Sequence, residues 1–344
     1  MKEDIKSLLF PELSDIITKM GQPAYRAGQI FKWLHSGVVS FSQMTDMPKT
    51  LREQLDERFY ITSPEMVQKQ TSEKDGTEKY LWRLEDGQAI ESVVMRYNHG
   101  NSICISTQVG CRMGCKFCAS TIGGLVRNMT PAEMLDQVLF SQKDVGQRIS
   151  NIVLMGIGEP LDNVENVMRF LNLVTDERGL NIGMRHISVS TCGLVEKVDK
   201  LGEDKLQFTL SVSLHAPDDE TRSSLMPINK TYGVDKLLAA CRKYFDTTGR
   251  RISFEYAMID GVNDTLRHAL LLAKKLKGSG SHVNLIRLNN VEQSDLKPST
   301  PENLREFIRV LREKGVNVTV RRHLGGDIDA SCGQLRKKDT LKLP

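Results

Sequence analysis

The spacing of apolar residues divides the chain into a helical start, a β-hairpin and a longer alternating region. In residues 1–60 apolar side chains recur at helical spacing, as at Ile30, Phe31 and Leu34. Two apolar runs over 79–84 and 89–95 flank an Asp-Gly pair, which is a strong signal for a hairpin turn. The pattern therefore predicts a small helical region followed by two antiparallel strands.

From about residue 101, short strand-like runs alternate with helix-like runs. The predicted strands cover 103–107, 151–155, 186–190, 207–213, 252–258 and 283–288, with 316–320 as a further edge strand. The predicted helices begin near Pro131, Val164, Leu194, Val234, Thr265 and Pro301. Six such units predict parallel strands with right-handed crossovers, arranged either as a doubly wound sheet or as a barrel.

The residues with chemical potential follow the predicted strands, at the strand ends where such folds bind ligands. Cys111, Cys115 and Cys118 follow the first strand with the spacing C-x3-C-x2-C. Three thiolates in one tight loop suit an iron–sulfur cluster that keeps one iron open. The alternative is a zinc site in which Cys104 supplies the fourth ligand.

Composition narrows the class of protein. The chain has 344 residues, a formal net charge of +4 and seven cysteines, with 40% hydrophobic residues. An odd number of cysteines in a chain of this size favours a reducing compartment and cysteine chemistry over a disulfide framework. The sequence contains no apolar run long enough to span a membrane and no recognisable signal peptide, so we expect a cytoplasmic protein.

The cysteine motif at the end of the first barrel strand resembles that of the radical S-adenosylmethionine enzymes. The resemblance implies that Cys111, Cys115 and Cys118 hold a [4Fe-4S] cluster whose open iron chelates S-adenosyl-L-methionine. It also implies reductive cleavage of that cofactor to a 5′-deoxyadenosyl radical.

Four further segments narrow the resemblance to the dual-specificity RNA adenine-C2 methyltransferases. They are 108–111, 155–161, 211–216 and 325–335. The resemblance implies an α/β fold: a partial (β/α)6 barrel with an N-terminal helical accessory domain and a β-hairpin extension. The expected divisions are an RNA-binding accessory domain at 1–70, the extension at 71–100, the barrel at 101–325 and a C-terminal loop with a basic tail at 326–344.

Three residues outside the cluster motif receive roles from the resemblance. Cys332 matches the cysteine that carries the methyl group, Cys104 matches its transient disulfide partner, and Glu91 matches the proton acceptor. From the residues alone, Cys104 could equally be a buried core thiol. Glu91 lies in an apolar row, where a carboxylate is costly unless it is used or paired, or else at a hairpin edge facing water. Cys192 and Cys241 match no role and are expected to be structural.

The expected cofactor contacts lie at the ends of four strands. They are Gly158, Glu159, Ser190, Ser213, Leu214, His215 and Asn289. Glu159 is expected to accept hydrogen bonds from the cofactor ammonium. A histidine such as His215 could instead be an ordinary core residue, and Asn290 could replace Asn289 as the contact.

The resemblance also implies partners. It implies methylation of carbon 2 of an adenosine in 23S ribosomal RNA and in some transfer RNAs, with two cofactor molecules per turnover and a flavodoxin-type reductant. We expect a monomer. Basic residues on either side of Cys332 would hold RNA phosphates, or form a solvated tail; they are Arg321, Arg322, His323, Arg336, Lys337, Lys338 and Lys342.

Three other functions compete with this one. The related carbon-8 methyltransferases, which confer antibiotic resistance, usually have alanine where this chain has Pro160. A non-enzymatic, zinc-dependent RNA-binding protein would use the four-cysteine set. A radical enzyme acting on a peptide or metabolite is disfavoured by the basic C-terminus and the second pair of cysteines.

Overall fold

The structure is a computed structural model that describes residues 2–289 and 294–330. Its helices are α1 (Phe10–Lys19), α2 (Tyr25–His35), α3 (Lys49–Arg58), α4 (Pro131–Val145), α5 (Val164–Thr175), α6 (Val195–Glu203), α7 (Asp219–Leu225), α8 (Val234–Thr248), α9 (Leu266–Leu276) and α10 (Pro301–Glu313). Its strands are β1 (Glu3–Asp4), β2 (Phe59–Tyr60), β3 (Glu65–Thr71), β4 (Glu78–Arg83), β5 (Ala89–Tyr97), β6 (Gly100–Cys104), β7 (Gln108–Gly110), β8 (Leu125–Asn128), β9 (Ile149–Leu154), β10 (Ile187–Thr191), β11 (Thr209–Ser213), β12 (Ser253–Met258), β13 (His282–Arg287) and β14 (Asn317–Val320).

The order of the strands decides between the two predicted architectures. Within the described residues, the main sheet has the order β14-β13-β12-β11-β10-β9-β6-β5-β4-β3. All neighbours from β6 to β14 are parallel. A doubly wound sheet reverses its strand order at a switch point, whereas this order runs in one direction. The parallel part is therefore a partial (β/α)6 barrel with β14 as the additional edge strand, as predicted.

The predicted hairpin extends the barrel sheet on one side. Strands β4 and β5 pair antiparallel with Arg83 opposite Ala89, and β5 pairs antiparallel with β6. The sequence pattern missed β3, which pairs with β4 and begins at Glu65. Most residues of β3 are exposed, so that strand lacks the apolar alternation that would have revealed it.

Local signals explain why the barrel helices begin where they do. Helix α4 begins at Pro131 behind a capping box, in which Thr130 and Glu133 satisfy each other's backbone N–H groups. It ends at Gly146, whose φ of 68° is left-handed. Helix α10 begins at Pro301, and the Thr300 side chain accepts from the Asn303 N–H. These helices begin at the predicted residues because capping is a local property of the sequence.

The N-terminal helices pack directly against the barrel. Leu13, Ile30 and Leu51 belong to the same buried cluster as Val138 of α4 and Phe170 of α5. Between the two regions, the buried Lys6 ammonium pairs with the Asp136 carboxylate and also donates to the Thr62 carbonyl. The accessory helices are thus fixed to one side of the barrel by an apolar contact and a buried ion pair.

Candidate active site

The cysteine loop begins in a hairpin that the sequence pattern did not predict. Strands β7 and β8 pair antiparallel and frame the loop. Gly110 has a φ of 76°, and a Cβ there would lie 2.0 Å from the Gly124 carbonyl oxygen. No side chain fits at that contact, so the glycine allows the two ends of the loop to meet. The Cys111 N–H then donates to the Gly124 carbonyl at 3.1 Å.

The three thiols of the motif line one cleft at the carboxyl ends of the barrel strands, which we call the cofactor cleft because the expected cofactor contacts also lie there. The cleft encloses about 950 Å³, and Cys111, Cys115 and Cys118 all lie in its wall. Burial raises the pKa of the Cys111 thiol to about 12 and raises that of Cys115 as well. Bringing such thiols together as thiolates requires a strong positive charge, which the iron ions of a cluster provide.

The described residues distinguish this donor set from a zinc site. Cys104 lies in the wall of a neighbouring cleft rather than in the wall that holds the three thiols. Within residues 2–289 and 294–330, no three His, Cys, Asp or Glu side chains form a group that could hold a single metal ion. An iron–sulfur cluster is larger than one ion and takes its thiolates from farther apart. The four-cysteine zinc site is therefore not supported, and the thiol triad fits a cluster.

Opposite the thiols, the loop after β9 provides a buried carboxylate. Glu159 accepts from the Leu161 N–H at 3.0 Å and from the Cys192 N–H at 2.7 Å. Burial raises its pKa, while these hydrogen bonds favour the charged form. Gly158 has a φ of 111°, and a Cβ there would lie 2.7 Å from the Gln108 Cβ. The loop thus presents a fixed acceptor that fits an ammonium group of a ligand.

Strands β10 and β11 deliver three more of the predicted contacts. Ser190, Ser213 and His215 all line the same cleft. The His215 Nδ1 accepts from the Ala257 N–H at 2.8 Å, so its hydrogen lies on Nε2. Burial lowers the pKa of His215 to about 3, which keeps the ring neutral. His215 is therefore a neutral donor in the cleft wall, held partly by an edge contact with the Phe117 ring at 4.7 Å.

Two predicted contacts differ in their placement. The side chain of Leu214 is fully buried in the core and lies outside the cleft wall. Its backbone carbonyl instead accepts from the Arg222 Nε at 3.0 Å. Asn289 lines the cleft, and its Oδ1 lies 2.8 Å from the His323 Nε2. Asn290, the alternative contact, lies outside the described residues.

Arg222, a residue not predicted from the sequence, joins the strand ends beneath the cleft. This fully buried arginine donates to the carbonyls of Cys192, Ser213 and Leu214. It lies on α7, which the pattern also missed because the helix is short and largely polar. An arginine in a polar segment usually faces water, so nothing in the sequence indicates its burial.

Glu255 and Arg321 are further cleft residues that were not predicted as such. Glu255 is buried, accepts from the Asn284 Nδ2 at 2.9 Å and lies 3.8 Å from the Arg321 Nη1. Arg321 was assigned to a phosphate-binding surface, but its side chain points inward and its Nη1 lies 3.0 Å from the Met155 sulfur. That assignment is wrong for Arg321, because the charge attracting the side chain inward comes from a distant strand.

Cys192 and Cys241 were both expected to be structural. Cys241 lies in the buried core on α8. Cys192 lines the cofactor cleft, and its backbone N–H holds Glu159. Its side chain therefore lies closer to the chemistry than the sequence analysis anticipated.

A second cleft, which we call the thiol cleft, adjoins the first. It encloses about 550 Å³ and contains Cys104, with Val93, Met95 and Ala330 in its wall. Met155, Arg287 and Arg321 line both clefts. Cys332 lies outside the described residues, but the chain leading to it enters the thiol cleft at Ala330, which packs in one cluster with Cys104.

Glu91 is buried beside the thiol cleft. Its carboxylate pairs with the Lys79 ammonium at 2.8 Å, and Lys79 also donates to the Asp329 carbonyl at 3.3 Å. Neither cleft counts Glu91 in its wall. On β5, Glu91 lies two residues from Val93, which is the residue opposite Cys104 on β6. The hairpin-edge alternative is wrong, because Glu91 is only 4% exposed.

Comparisons with known proteins agree with this geometry. Residues 105–273 match the model of the radical SAM superfamily, and residues 4–61 match that of the ribosomal RNA large subunit methyltransferase N-terminal domain. A solved radical SAM methyltransferase from Sphaerobacter thermophilus is 43% identical, with a TM-score of 0.93 over 98% of this chain and 100% of that one.

Curated relatives extend the match to nearly the whole chain. A protein of Clostridium novyi named "Probable dual-specificity RNA methyltransferase RlmN" is 50% identical over 97% of this chain and 98% of its own length. One of the same name from Alkaliphilus oremlandii is 52% identical over 98% of each chain.

The partial barrel, the thiol triad in its mouth and the superfamily match define a radical S-adenosylmethionine enzyme, whose cofactors are a [4Fe-4S] cluster and S-adenosyl-L-methionine. Within that class, the chain belongs to the RlmN family of dual-specificity RNA methyltransferases. None of the helices in the described part of the chain has the length and apolar character needed to cross a membrane.

Proposed function

We propose that this enzyme methylates carbon 2 of an adenosine in 23S ribosomal RNA and in a subset of transfer RNAs, next to the anticodon. The observation that carries the proposal is the pair of adjoining clefts. One holds the cluster thiols and the predicted cofactor contacts, and the other holds Cys104 and receives the chain that leads to Cys332. The printed names of the curated relatives support the substrate class.

Carbon 2 of adenine is electrophilic, so a methyl group cannot be transferred to it directly from a sulfonium. In the proposed reaction the Cys332 thiolate first accepts a methyl group from one cofactor molecule. When bound, the cluster and a second cofactor molecule supply the 5′-deoxyadenosyl radical that removes one hydrogen from this methyl. The Cys332-bound carbon then forms a bond to the adenine.

Glu91 and Cys104 act in releasing the product. Glu91 accepts the proton from carbon 2 while the RNA adduct, a radical at this stage, gives up its unpaired electron to the cluster when that is bound. The Lys79 ammonium lies 2.8 Å from the Glu91 carboxylate and holds it in place. The Cys104 thiolate attacks the sulfur of Cys332. A disulfide forms between the two sulfurs while the bond from Cys332 to the methylene carbon breaks, and that carbon takes a proton to become the new methyl group. Cys104 and Ala330 lie in one small apolar cluster and line the same cleft, which supports this pairing.

The cofactor contacts follow from the geometry of the first cleft. We propose that Glu159 and Gly158 receive the methionine ammonium, while Ser190, Ser213, His215 and Asn289 contact the rest of the cofactor. Leu214 would contribute its backbone, since its side chain is buried elsewhere.

The proposal includes the remaining expectations. We propose that residues 1–70 form an RNA-binding accessory domain, 71–100 the extension, 101–325 the barrel and 326–344 the segment that carries Cys332. The strands of the extension start somewhat earlier, at Glu65. A flavodoxin-type protein supplies electrons, and the enzyme acts as a monomer in the cytoplasm.

Nucleoside analysis tests the proposed function. RNA from cells with and without this chain is digested, and the methyladenosine isomers are separated by mass spectrometry against standards. We expect 2-methyladenosine to disappear from ribosomal and transfer RNA when the chain is absent. Loss of the carbon-8 isomer instead would show that the antibiotic-resistance branch is the correct assignment, despite Pro160.

A further inference from the structure

A third cavity opens on the barrel interior beside the thiol cleft, and nothing in the proposed reaction uses it. It encloses about 600 Å³ and lies between the end of β5, strands β6 and β9, the start of β10 and the end of β14. Met95 and Arg321 line both this cavity and the thiol cleft, so the two adjoin at these side chains. We call it the side groove.

The chemistry of the side groove suits an anion. Arg185 lines it together with His99 and His186, and Arg321 borders it with its Nη1 3.8 Å from the Glu255 carboxylate. None of the described residues that line the groove is a carboxylate. On its floor, the buried Nδ2 of Asn151 has no hydrogen-bond partner within the described structure, although the Oδ1 of the same amide meets the His186 Nδ1 at 3.0 Å. A buried donor without a partner is costly unless a ligand oxygen or nitrogen completes it.

The side groove also offers aromatic faces. The rings of Tyr97 and His99 stack with centroids 5.0 Å apart and an interplanar angle of 18°. The Arg322 guanidinium lies over the Tyr97 ring at 5.6 Å. His99 is exposed, so its ring adds an accessible flat surface to this stack.

We propose that the side groove binds the RNA nucleotide adjoining the target adenosine, with its base stacked on His99 and its phosphate held by Arg185. Unpaired RNA bases are recognised by stacking on aromatic rings and guanidinium planes, and their phosphates by arginines. This inference rests on the proposed function, because a base in the thiol cleft places its neighbour at the shared Met95 and Arg321 boundary. By binding this neighbouring nucleotide, the groove stabilises the RNA conformation in which the target base is flipped out of its helix or loop.

Binding measurements with an RNA hairpin that the wild-type enzyme methylates test this assignment. Both His99 and Arg185 are exposed, so His99→Ala and Arg185→Ala leave the fold intact. We expect His99→Ala to weaken RNA binding about tenfold. Arg185→Ala should weaken it similarly and lower the slope of log K against log salt by about one. His99→Phe, which keeps an aromatic face, should restore most of the affinity.

Two controls make the test specific. Arg312→Ala removes an exposed arginine from α10, away from the groove, and should leave the slope and affinity unchanged. Two further hairpins each carry one abasic site, either just before or just after the target adenosine. The hairpin that lacks the base stacked on His99 should bind wild type and His99→Ala with equal affinity. Affinity for S-adenosyl-L-methionine should stay constant throughout.

The outcomes separate this inference from the proposed function. If wild type methylates the hairpin while His99→Ala and Arg185→Ala bind it as Arg312→Ala does, the groove assignment is wrong and the proposed function stands. If the variants weaken RNA binding but the methyl group that wild type adds to the hairpin is not on carbon 2, the groove binds RNA and the proposed reaction is wrong.

Discussion

The cofactor cleft and the thiol cleft share a wall but are built differently. The cofactor cleft is formed by the ends of parallel strands, and Arg222 and Glu159 hold those ends together through backbone hydrogen bonds. The thiol cleft lies between the antiparallel extension and the segment after β14, and apolar side chains form much of its wall. The first is suited to holding a small ligand in one position, and the second to admitting a protein thiol and an RNA base in turn.

We expect the largest functional difference between the two clefts when one cysteine assigned to each cleft is replaced. We expect Cys115→Ala to lose bound iron and all methylation, since the cluster loses a ligand. Cys332→Ala should retain the iron of the wild type and still yield no methylated RNA. Iron content and single-turnover methylation, measured without oxygen, check both. Cys241→Ala, a core thiol away from both clefts, should keep iron and activity; iron loss in Cys332→Ala would contradict the division.

Within the thiol cleft, Cys104→Ala should stop the reaction after RNA is attached. The adduct between Cys332 and RNA then has no second thiol to release it, so a protein–RNA band should survive denaturing electrophoresis. Adding Cys332→Ala to the same chain should abolish that band. A Cys104→Ala enzyme that releases methylated RNA at the wild-type rate would rule out the resolving role.

Within the cofactor cleft, Arg222→Met tests whether the strand ends depend on one buried side chain. The substitution leaves four backbone carbonyl oxygens and the Asn229 Oδ1 without their donor. We expect the free energy of unfolding to fall by about 3 kcal/mol, with weaker cofactor binding. Denaturant unfolding and calorimetric titration with S-adenosyl-L-methionine measure the two effects. The exposed Arg312→Ala serves as the matched control and should change neither.

An effect confined to acidic pH comes last, because at neutral pH it leaves the enzyme unchanged. Because the pKa of His215 is lowered from 6.5 to about 3 in the folded protein, the unfolded chain binds a proton first as the pH falls. The stabilising contribution is complete above pH 6.5 and is lost as the pH falls towards 3. The loss of unfolding free energy should amount to about 3 kcal/mol by pH 4.

His215→Asn provides the matching variant. Asparagine tolerates the left-handed φ of 56° at this position and can accept from the Ala257 N–H. We expect it to fold at neutral pH and to show a flatter decline in unfolding free energy between pH 6.5 and 4. An unchanged decline would assign the acid sensitivity to other groups.

The sequence predicted those features that depend on local order. The six strand–helix units, the hairpin around the Asp-Gly turn, and the starts of α4 and α10 all agree with the structure. Ligand residues lie at the carboxyl ends of the strands in such folds, and this rule predicted one shared site. The structure has that site as one cleft, lined by the cysteine triad, Glu159, Ser190, Ser213 and His215.

What the sequence could not predict depends on contacts between distant segments. Nothing near Arg222 or Arg321 indicates that either side chain turns inward, because their partners lie on other strands. The burial of Glu255 was also not predictable: it sits in a strand pattern typical of a partly exposed residue but is buried beside Asn284. Leu214 is the opposite case: it was predicted to contact the cofactor, but its side chain is buried in the core and only its backbone is near the cleft.

The antiparallel extension has a consequence for how such a large substrate is accommodated. Strand β5 is hydrogen bonded along its length to β6, so Glu91 and Cys104 belong to the same continuous sheet as the strands that carry the cofactor contacts. A sheet joined in this way does not swing open as a hinged flap does. In the proposed reaction the geometric adjustment therefore falls on the nucleic acid, which has to deform until a single base fits the cleft.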